Sequence, residues 1–292
     1  MELAVRLGGE IISADSRQIY RRLDVGTAKP DAEERRRACH HLLDIVDVGE
    51  RYSAGRFARD ARSALEKIES SGKVPIICGG TGFYIEALVR PMFTEPDAGP
   101  GERERIRAEL AEQAASQGRQ ALYERLRQVD PRRAASLHPN DLQRVGRALE
   151  LFMLTGSTMS ELHDQVQKKA EFAPFMILLE PESQWHESRI AGRAGWMLEN
   201  GWVEEVRGLL EEGVSSKAPG MESLGYAEVI QLATGEIDLE QAGETIALKT
   251  RQYARRQRTW FKARDTSLSI DPREFEFKNV LGAWNDFNMR SD

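Results

Sequence analysis

The run Val74 to Tyr84, VPIICGGTGFY, sets one hydroxyl, Thr81, among three glycines, Gly79, Gly80 and Gly82. Glycine lets the backbone approach a ligand closely, and a helix N-terminus offers free N–H groups and a partial positive charge. The run therefore has the makings of an anion site, phosphate first, although a turn that merely packs a strand on a helix uses the same residues. Asp15 closes a second apolar run, Glu10-Ile11-Ile12-Ser13-Ala14, and is followed by Ser16, Arg17 and Gln18. In open parallel sheets ligands bind beyond the carboxyl ends of the strands, which is where Asp15 and Thr81 both fall; a helix N-cap is the other use of such an aspartate. Arg189 and Arg193 lie one helical turn apart and so share a face, fit to clamp a diphosphate or to face solvent. From Lys249 to Arg264 there are seven cations and no acid until Asp265. Such a stripe reads as a polyanion-binding face, since solvated faces usually mix signs.

The elements that must position these groups follow from periodicity. Met1 to Leu7 reads as the end of a helix stopped by Gly8-Gly9, and Glu10 to Asp15 as a strand. Ser53 to Glu69 is a helix with Ser53 as cap and Gly72 as stop, Val74 to Cys78 a buried parallel strand, and Ile85, Leu88 and Val89 a following helix. Strand, helix, strand, turn and helix in that order make an α/β core. Pro91, Pro96, Gly99, Pro100 and Gly101 mark a hinge, after which 102–167 is helical throughout, with Asn140 and Gln143 as a capping box for a helix ending at Gly156. Phe175 to Leu179 reads as a further buried strand, so residues 95–168 are an insertion between the core segments 1–94 and 169–292. Glu187 to Glu212 reads as a helix running through Gly201, and Leu239 to Lys262 as the longest helix.

At 292 residues, 40% hydrophobic and 30% charged, the chain can bury one large core or two, and its net charge of −6 makes the basic stripe a local feature. Cys39 and Cys78 have no metal spacing and suit a reducing, cytoplasmic setting. His40, His41 and Asp44 invite a metal reading, but adjacent histidines point apart and a structural role is favoured. Neither a signal peptide nor an apolar run long enough for a membrane span is present.

Taken together these words resemble the tRNA dimethylallyltransferases, from Glu10 almost to the end: EIISADSRQIY, DVGTAKP, HHLLDI, GGTGFY, HPNDLQRVGRALE, TGSTMSEL, the Arg189 and Arg193 pair, GYAE and TRQYARRQRTWFK. Each is weak alone; their order and spacing are specific. The resemblance implies a P-loop NTPase-like parallel sheet core with a helical insertion. It also implies transfer of a dimethylallyl group from dimethylallyl diphosphate, with Mg²⁺, to the exocyclic amine of the adenine beside the anticodon in tRNAs reading codons that start with U. It implies Asp15 as general base, Thr81 on the bridging oxygen of the diphosphate, and Gly79, Gly80, Gly82, Arg193 and Arg189 around that diphosphate. The tRNA anticodon stem-loop would meet Asp15, Ser16, Arg17 and Gln18; Gln143, Arg144, Val145, Gly146 and Arg147; Met221, Glu222, Ser223, Leu224, Gly225 and Tyr226; and Arg255, Arg256, Gln257, Arg258, Thr259, Trp260, Phe261 and Lys262. A monomer is expected.

The chain departs from the family at its start. The family opens with a strand and a GxxxxGK[ST] phosphate loop, whereas Met1 falls inside the helix that follows that loop. As written, the chain is therefore expected to bind dimethylallyl diphosphate weakly, to transfer little, and to expose the apolar edges of Ile11, Ile12 and Ile76. Ala227 and Arg255 stand where the family usually has lysine. An adenylate isopentenyltransferase acting on free nucleotide, and a non-catalytic RNA-binding remnant, are the alternative readings. The insertion and the basic helix weigh against the first.

Overall fold

The computed structural model of the chain describes residues 1–90, 99–165 and 172–289. The hinge residues Pro91 and Pro96 lie outside the described residues. Two compact units result, Met1–Val89 with Phe172–Asp292, and Arg90–Glu171.

In the larger unit α1 (Glu2–Leu7) ends on Gly8, whose φ of 60° is a left-handed cap, and β1 (Glu10–Ser13) follows. Helix α2 (Ala32–Arg37) starts from a capping box between Asp31 and Glu34 and leads to β2 (His40–His41). Ser53 caps α3 (Ala54–Ser70) by accepting from the N–H of Arg56 at 3.1 Å, and Gly72, at φ 69°, turns the chain into β3 (Pro75–Cys78) and α4 (Gly82–Val89). The three strands are parallel in the order β2-β1-β3, with Ile11 opposite Ile76 and Ile12 opposite Ile77. Central β1 is covered by its neighbours, so Ile11 and Ile12 are buried, contrary to the expectation that both show an edge; only Ile76 of the three is half-buried. Phe57, Ala61, Ala64 and Ile68 form the buried stripe of α3, and Phe57 stacks on Tyr84 of α4 with ring centroids 4.5 Å apart.

The second strand segment differs from expectation. Strand β4 (Ile177–Leu179) pairs in parallel with β5 (Leu268–Ile270), and not with β1 or β3 among the described residues. It is not buried: Leu179 is 58% exposed, because a two-stranded pair leaves one face uncovered. The helix expected across Gly201 is two helices, α10 (Ser183–Glu199) and α11 (Trp202–Glu211), since Gly201 sits at φ 106°, which no continuing helix adopts. Helices α12 (Tyr226–Ala233), α13 (Leu239–Lys262) and α14 (Phe277–Met289) complete the unit. Its core joins Ile19, Leu23 and Val46 from the loops after β1 and β2 to Trp202, Val206, Tyr226 and Ile246. Tyr226 donates to Glu205 at 2.6 Å, while the other oxygen of Glu205 accepts the N–H groups of Asp24 and Val25 at 2.6 and 2.7 Å. The DVGTAKP loop is thus tied down by α11. Its Lys29 is buried against Asp24 and Asp44, a structural use of that lysine.

Among its described residues the smaller unit has helices and no strand: α5 (Pro100–Gln117), α6 (Arg119–Val129), α7 (Pro131–Ala135), α8 (Leu142–Thr155) and α9 (Met159–Gln165). Ile106, Leu110, Leu126, Val145 and Leu149 fill its interior. The cap of α8 is Asp141, which accepts from the N–H of Arg144 at 3.1 Å, rather than the expected Asn140. Glu150 is buried and satisfied by Arg103, Arg107 and Arg147. No helix among the described residues is long and apolar enough to cross a membrane.

Candidate functional site

Strands β1 and β3 run side by side, so the residues after each meet at one end of the sheet. Ala14 donates to the carbonyl of Cys78 at 2.8 Å and accepts from the N–H of Thr81 at 3.2 Å. That closes the two turns on each other. The Thr81 hydroxyl accepts the N–H of Ser16 at 3.0 Å and donates to the Ser16 hydroxyl at 3.2 Å. Asp15 lies between Ala14 and Ser16, which both bond to Thr81. Its Oδ1 accepts the N–H groups of Arg17 at 2.8 Å and Gln18 at 3.4 Å, which fixes the carboxylate; among the described residues Oδ2 makes no hydrogen bond. Gln18 donates to the carbonyls of Thr27 and Ala28, and Arg17 to the carbonyl of Pro219 at 3.3 Å. Asp15, Ser16 and Thr81 therefore form one constellation, with Arg17 and Gln18 bracing it.

Helix α13 forms a further wall. Gln257 donates to the carbonyl of Gly80 at 2.9 Å. A Cβ on Gly82 would meet the Trp260 ring at 2.4 Å, and one on Gly79 would meet the Ala14 carbonyl at 2.3 Å. These glycines are needed because protein, not only ligand, presses on the backbone. The N–H groups of Thr81 and Gly82 are spent on Ala14 and Gly80, so they are not available as a phosphate cradle. Tyr253, which sequence reading left among the apolar positions of the helix, stands at the same spot. It is 38% exposed, and its partial burial first, then the Asp15 charge, push its phenol up from the usual range. The signal for it is its place four residues ahead of Gln257, on the same helix face.

The other expected contacts are placed differently. Arg189 lies over the Trp185 ring at 5.6 Å, and both Arg189 and Arg193 are exposed; among the described residues neither bonds to the Gly79–Gly82 turn. A groove between α10 and α13 is lined by Ser183, His186, Glu187, Arg251, Arg255 and Arg258. Burial first, then Arg258 and Arg193, hold the His186 imidazole below its usual value, so this groove is a cationic locality. The basic stripe is partly neutralised from elsewhere in the fold. Lys249 pairs with Glu228, Arg255 with Glu187 at 3.8 Å, Lys262 with Glu180 at 2.9 Å and Arg264 with Glu86 at 2.6 Å. Arg251, Arg256 and Arg258 have no acid partner among the described residues. Arg256 instead lies over the Tyr253 ring, and Arg258 donates to the Ser183 hydroxyl. Thr259 back-bonds to its own helix, and Phe261 packs edge-on against Trp260. In the 221–226 segment Met221, Ser223, Gly225 and Tyr226 are buried, Leu224 is half-buried and Glu222 is exposed. In α8 Gln143 and Arg144 face solvent, Gly146 has open space beside it, Val145 is core and Arg147 is engaged by Glu150.

The chain is similar along most of its length to known proteins. The family model for IPP transferase matches residues 18–264. The tRNA dimethylallyltransferase of Geobacter metallireducens is 45% identical over 284 residues, covering 96% of this chain and 90% of that protein. That of Halorhodospira halophila is 45% identical over 265 residues, covering 90% and 84%. A solved eukaryotic dimethylallyltransferase acting on tRNA superposes with a TM-score of 0.83 at 27% identity, covering 99% of this chain and 75% of that one. The tRNA isopentenylpyrophosphate transferase of Bacillus halodurans gives 0.67 at 34% identity, covering 99% and 89%. With most of its length matched by the family model and by relatives at this identity, the chain belongs to the IPP transferase family.

Proposed function

We propose that the protein transfers a dimethylallyl group from dimethylallyl diphosphate to the exocyclic amine of the adenine beside the anticodon, in tRNAs reading codons that begin with U. The observation that carries this reading is the single constellation of Asp15, Ser16 and Thr81 at the strand ends, walled by a helix whose Arg251, Arg256 and Arg258 have no acid partner among the described residues. In the reaction the bond from the allylic carbon to the diphosphate oxygen breaks, the oxygen keeps the electron pair, and a carbon–nitrogen bond forms to the amine. The amine then sheds a proton. Asp15 takes it: Oδ1 is held by two N–H groups, which leaves Oδ2 for the substrate. Thr81 turns its hydroxyl hydrogen from Ser16 to the diphosphate while still accepting from the Ser16 N–H. Gln257 holds the Gly80 carbonyl beside Thr81, and Arg193 and Arg189 contribute positive charge to the leaving group. The target adenine must leave its stack to reach Asp15.

The donors at the site fit a hard cation. With Asp15 Oδ2 and the Thr81 hydroxyl given to the substrates, the Ser16 hydroxyl would be the protein oxygen offered, and Mg²⁺ is commonly held by one or two protein oxygens, substrate phosphate and water. When bound, Mg²⁺ would supply charge neutralisation on the diphosphate. The same reading takes the protein as a cytoplasmic monomer whose exposed Gln143 and Arg144 meet the anticodon stem.

The test is prenyl transfer to an unmodified anticodon stem-loop, with adenosine monophosphate as competing acceptor. The product of the whole reading frame is used, so that any residues upstream of Met1 are included. Transfer to the stem-loop and not to the nucleotide is expected; the reverse preference would overturn the assignment to tRNA. Asp15→Asn keeps the Oδ1 acceptor but removes the base, and should lower kcat by about 10²–10⁴-fold with tRNA binding intact. Lost binding with normal single-turnover chemistry would make Asp15 a binding residue.

A further inference from the structure

We infer that the chain carries a second site, for a thiophilic divalent cation such as Zn²⁺, built from Glu10, Cys39 and His41 at the amino ends of the strands. Alternation along β2 puts Cys39 and His41 on one face, with His40 directed away: its Nδ1 meets the carbonyl of Ala38 at 2.9 Å. The register Ile11 opposite His40, with the N–H of Ile11 donating to the carbonyl of Cys39 at 2.9 Å, brings Glu10 of β1 beside that face. The donor atoms of the three residues all lie within 4.8 Å of one another. Cys39 Sγ stands 3.8 Å from His41 Nε2, and that nitrogen 2.6 Å from Glu10 Oε2.

A thiolate, an imidazole and a carboxylate are a usual donor set for zinc, with bonds of about 2.0–2.3 Å and hence donor–donor edges of about 3.3–3.7 Å in a tetrahedron. The sulfur–nitrogen edge is already near that length. The oxygen–nitrogen edge must open by about 0.7 Å, which replaces one hydrogen bond by two metal bonds. Lys73 does not block this. It holds the other oxygen, Oε1, at 2.6 Å, so Glu10 can ligate through Oε2 while Lys73 orients it from behind. Cys39 is exposed and His41 half-buried, so the fourth position opens to solvent and water completes it.

The site is separate from the proposed chemistry. Glu10 starts β1 and Asp15 follows its end, five residues on at about 3.3 Å each, so about 16 Å of strand separates them. Its consequence is structural: β2 is two residues long and sits at the sheet edge, and the ion would clamp it to β1. Chain spacing alone concealed it, because Glu10 lies 29 positions before Cys39.

Zinc chloride and cobalt chloride are the probes, on the full chain. One equivalent of Co²⁺ should give a thiolate-to-cobalt charge-transfer band that Zn²⁺ abolishes. Cys39→Ser should remove the band, His41→Ala should weaken Zn²⁺ binding by at least about tenfold, and Cys78→Ser should change neither. On the unaltered chain, Zn²⁺ should slow alkylation of Cys39 and not of Cys78, a readout that needs no variant to fold. Equal alkylation of Cys39 with and without Zn²⁺, or a cobalt band that survives Cys39→Ser, would overturn the site.

Discussion

At the scale of single residues the site depends on what lies against the glycines. Gly80 and Gly82 look alike in sequence, but their neighbours differ. A Cβ at Gly80 meets the amide end of Gln257, which can swing away; one at Gly82 meets three atoms of the Trp260 indole at 2.4–2.6 Å, and that ring is also held by Arg264, 3.1 Å from its centroid. Gly82→Ala should therefore cost about 1–3 kcal/mol as an overpacking change. Gly80→Ala should cost about 0.5–1.5 kcal/mol, the loss of the Gln257 hydrogen bond. Urea unfolding of the two variants checks this; equal losses would mean that Trp260 is free to move. Thr81 shows the same dependence on partners, since its hydroxyl is aimed by Ser16, a residue 65 positions away.

At the scale of elements, helix ends decide the shape of the smaller unit. Asp130 caps α7 through the N–H of Arg133 at 3.0 Å and also accepts the N–H and hydroxyl of Ser160 at 2.9 and 2.6 Å, joining α7 to α9. Burial raises the Asp130 carboxyl, but the hydrogen bonds from Ser160 and Arg133 outweigh burial and hold it below the ordinary 3.8. A carboxyl held low contributes stability above its unfolded value and loses it as pH falls toward the folded one. Asp130→Ala should thus destabilise the protein by about 2–3 kcal/mol at neutral pH. The gap to the unaltered protein should narrow as pH drops below 3.8. Denaturant titrations at neutral and acid pH measure this; a gap that stays constant would show that the charge of Asp130 contributes nothing. Gly201 makes the other break, dividing two helices whose apolar positions read as one continuous pattern.

At the scale of the whole molecule, a chain of net charge −6 concentrates cations on α13, and the fold then supplies acids to four of the seven. Arg256 and Arg258 should therefore carry more of the RNA affinity than Lys249, whose charge is spent on buried Glu228. Replacing both arginines by alanine should flatten the log–log salt dependence of tRNA binding by about 0.7–0.9 per lost phosphate contact, while Lys249→Ala leaves it unchanged. A slope unaltered by the double variant would mean that these arginines serve only the protein. Sequence alone determined the helices after Ser53 and over Leu239–Lys262, the caps at Ser53 and Gly156, the strand-to-turn words around Asp15 and Thr81, and the family. Those are written in spacings of two to four residues, where one side chain meets the next through local backbone geometry. Tertiary structure decided that β4 pairs with β5, that Gln257 of α13 meets Gly80, that acids reach α13, and that Glu10 meets Cys39 and His41. Each of these joins residues far apart in the chain, and only the burial of a shared core sets which distant groups come within a bond's length.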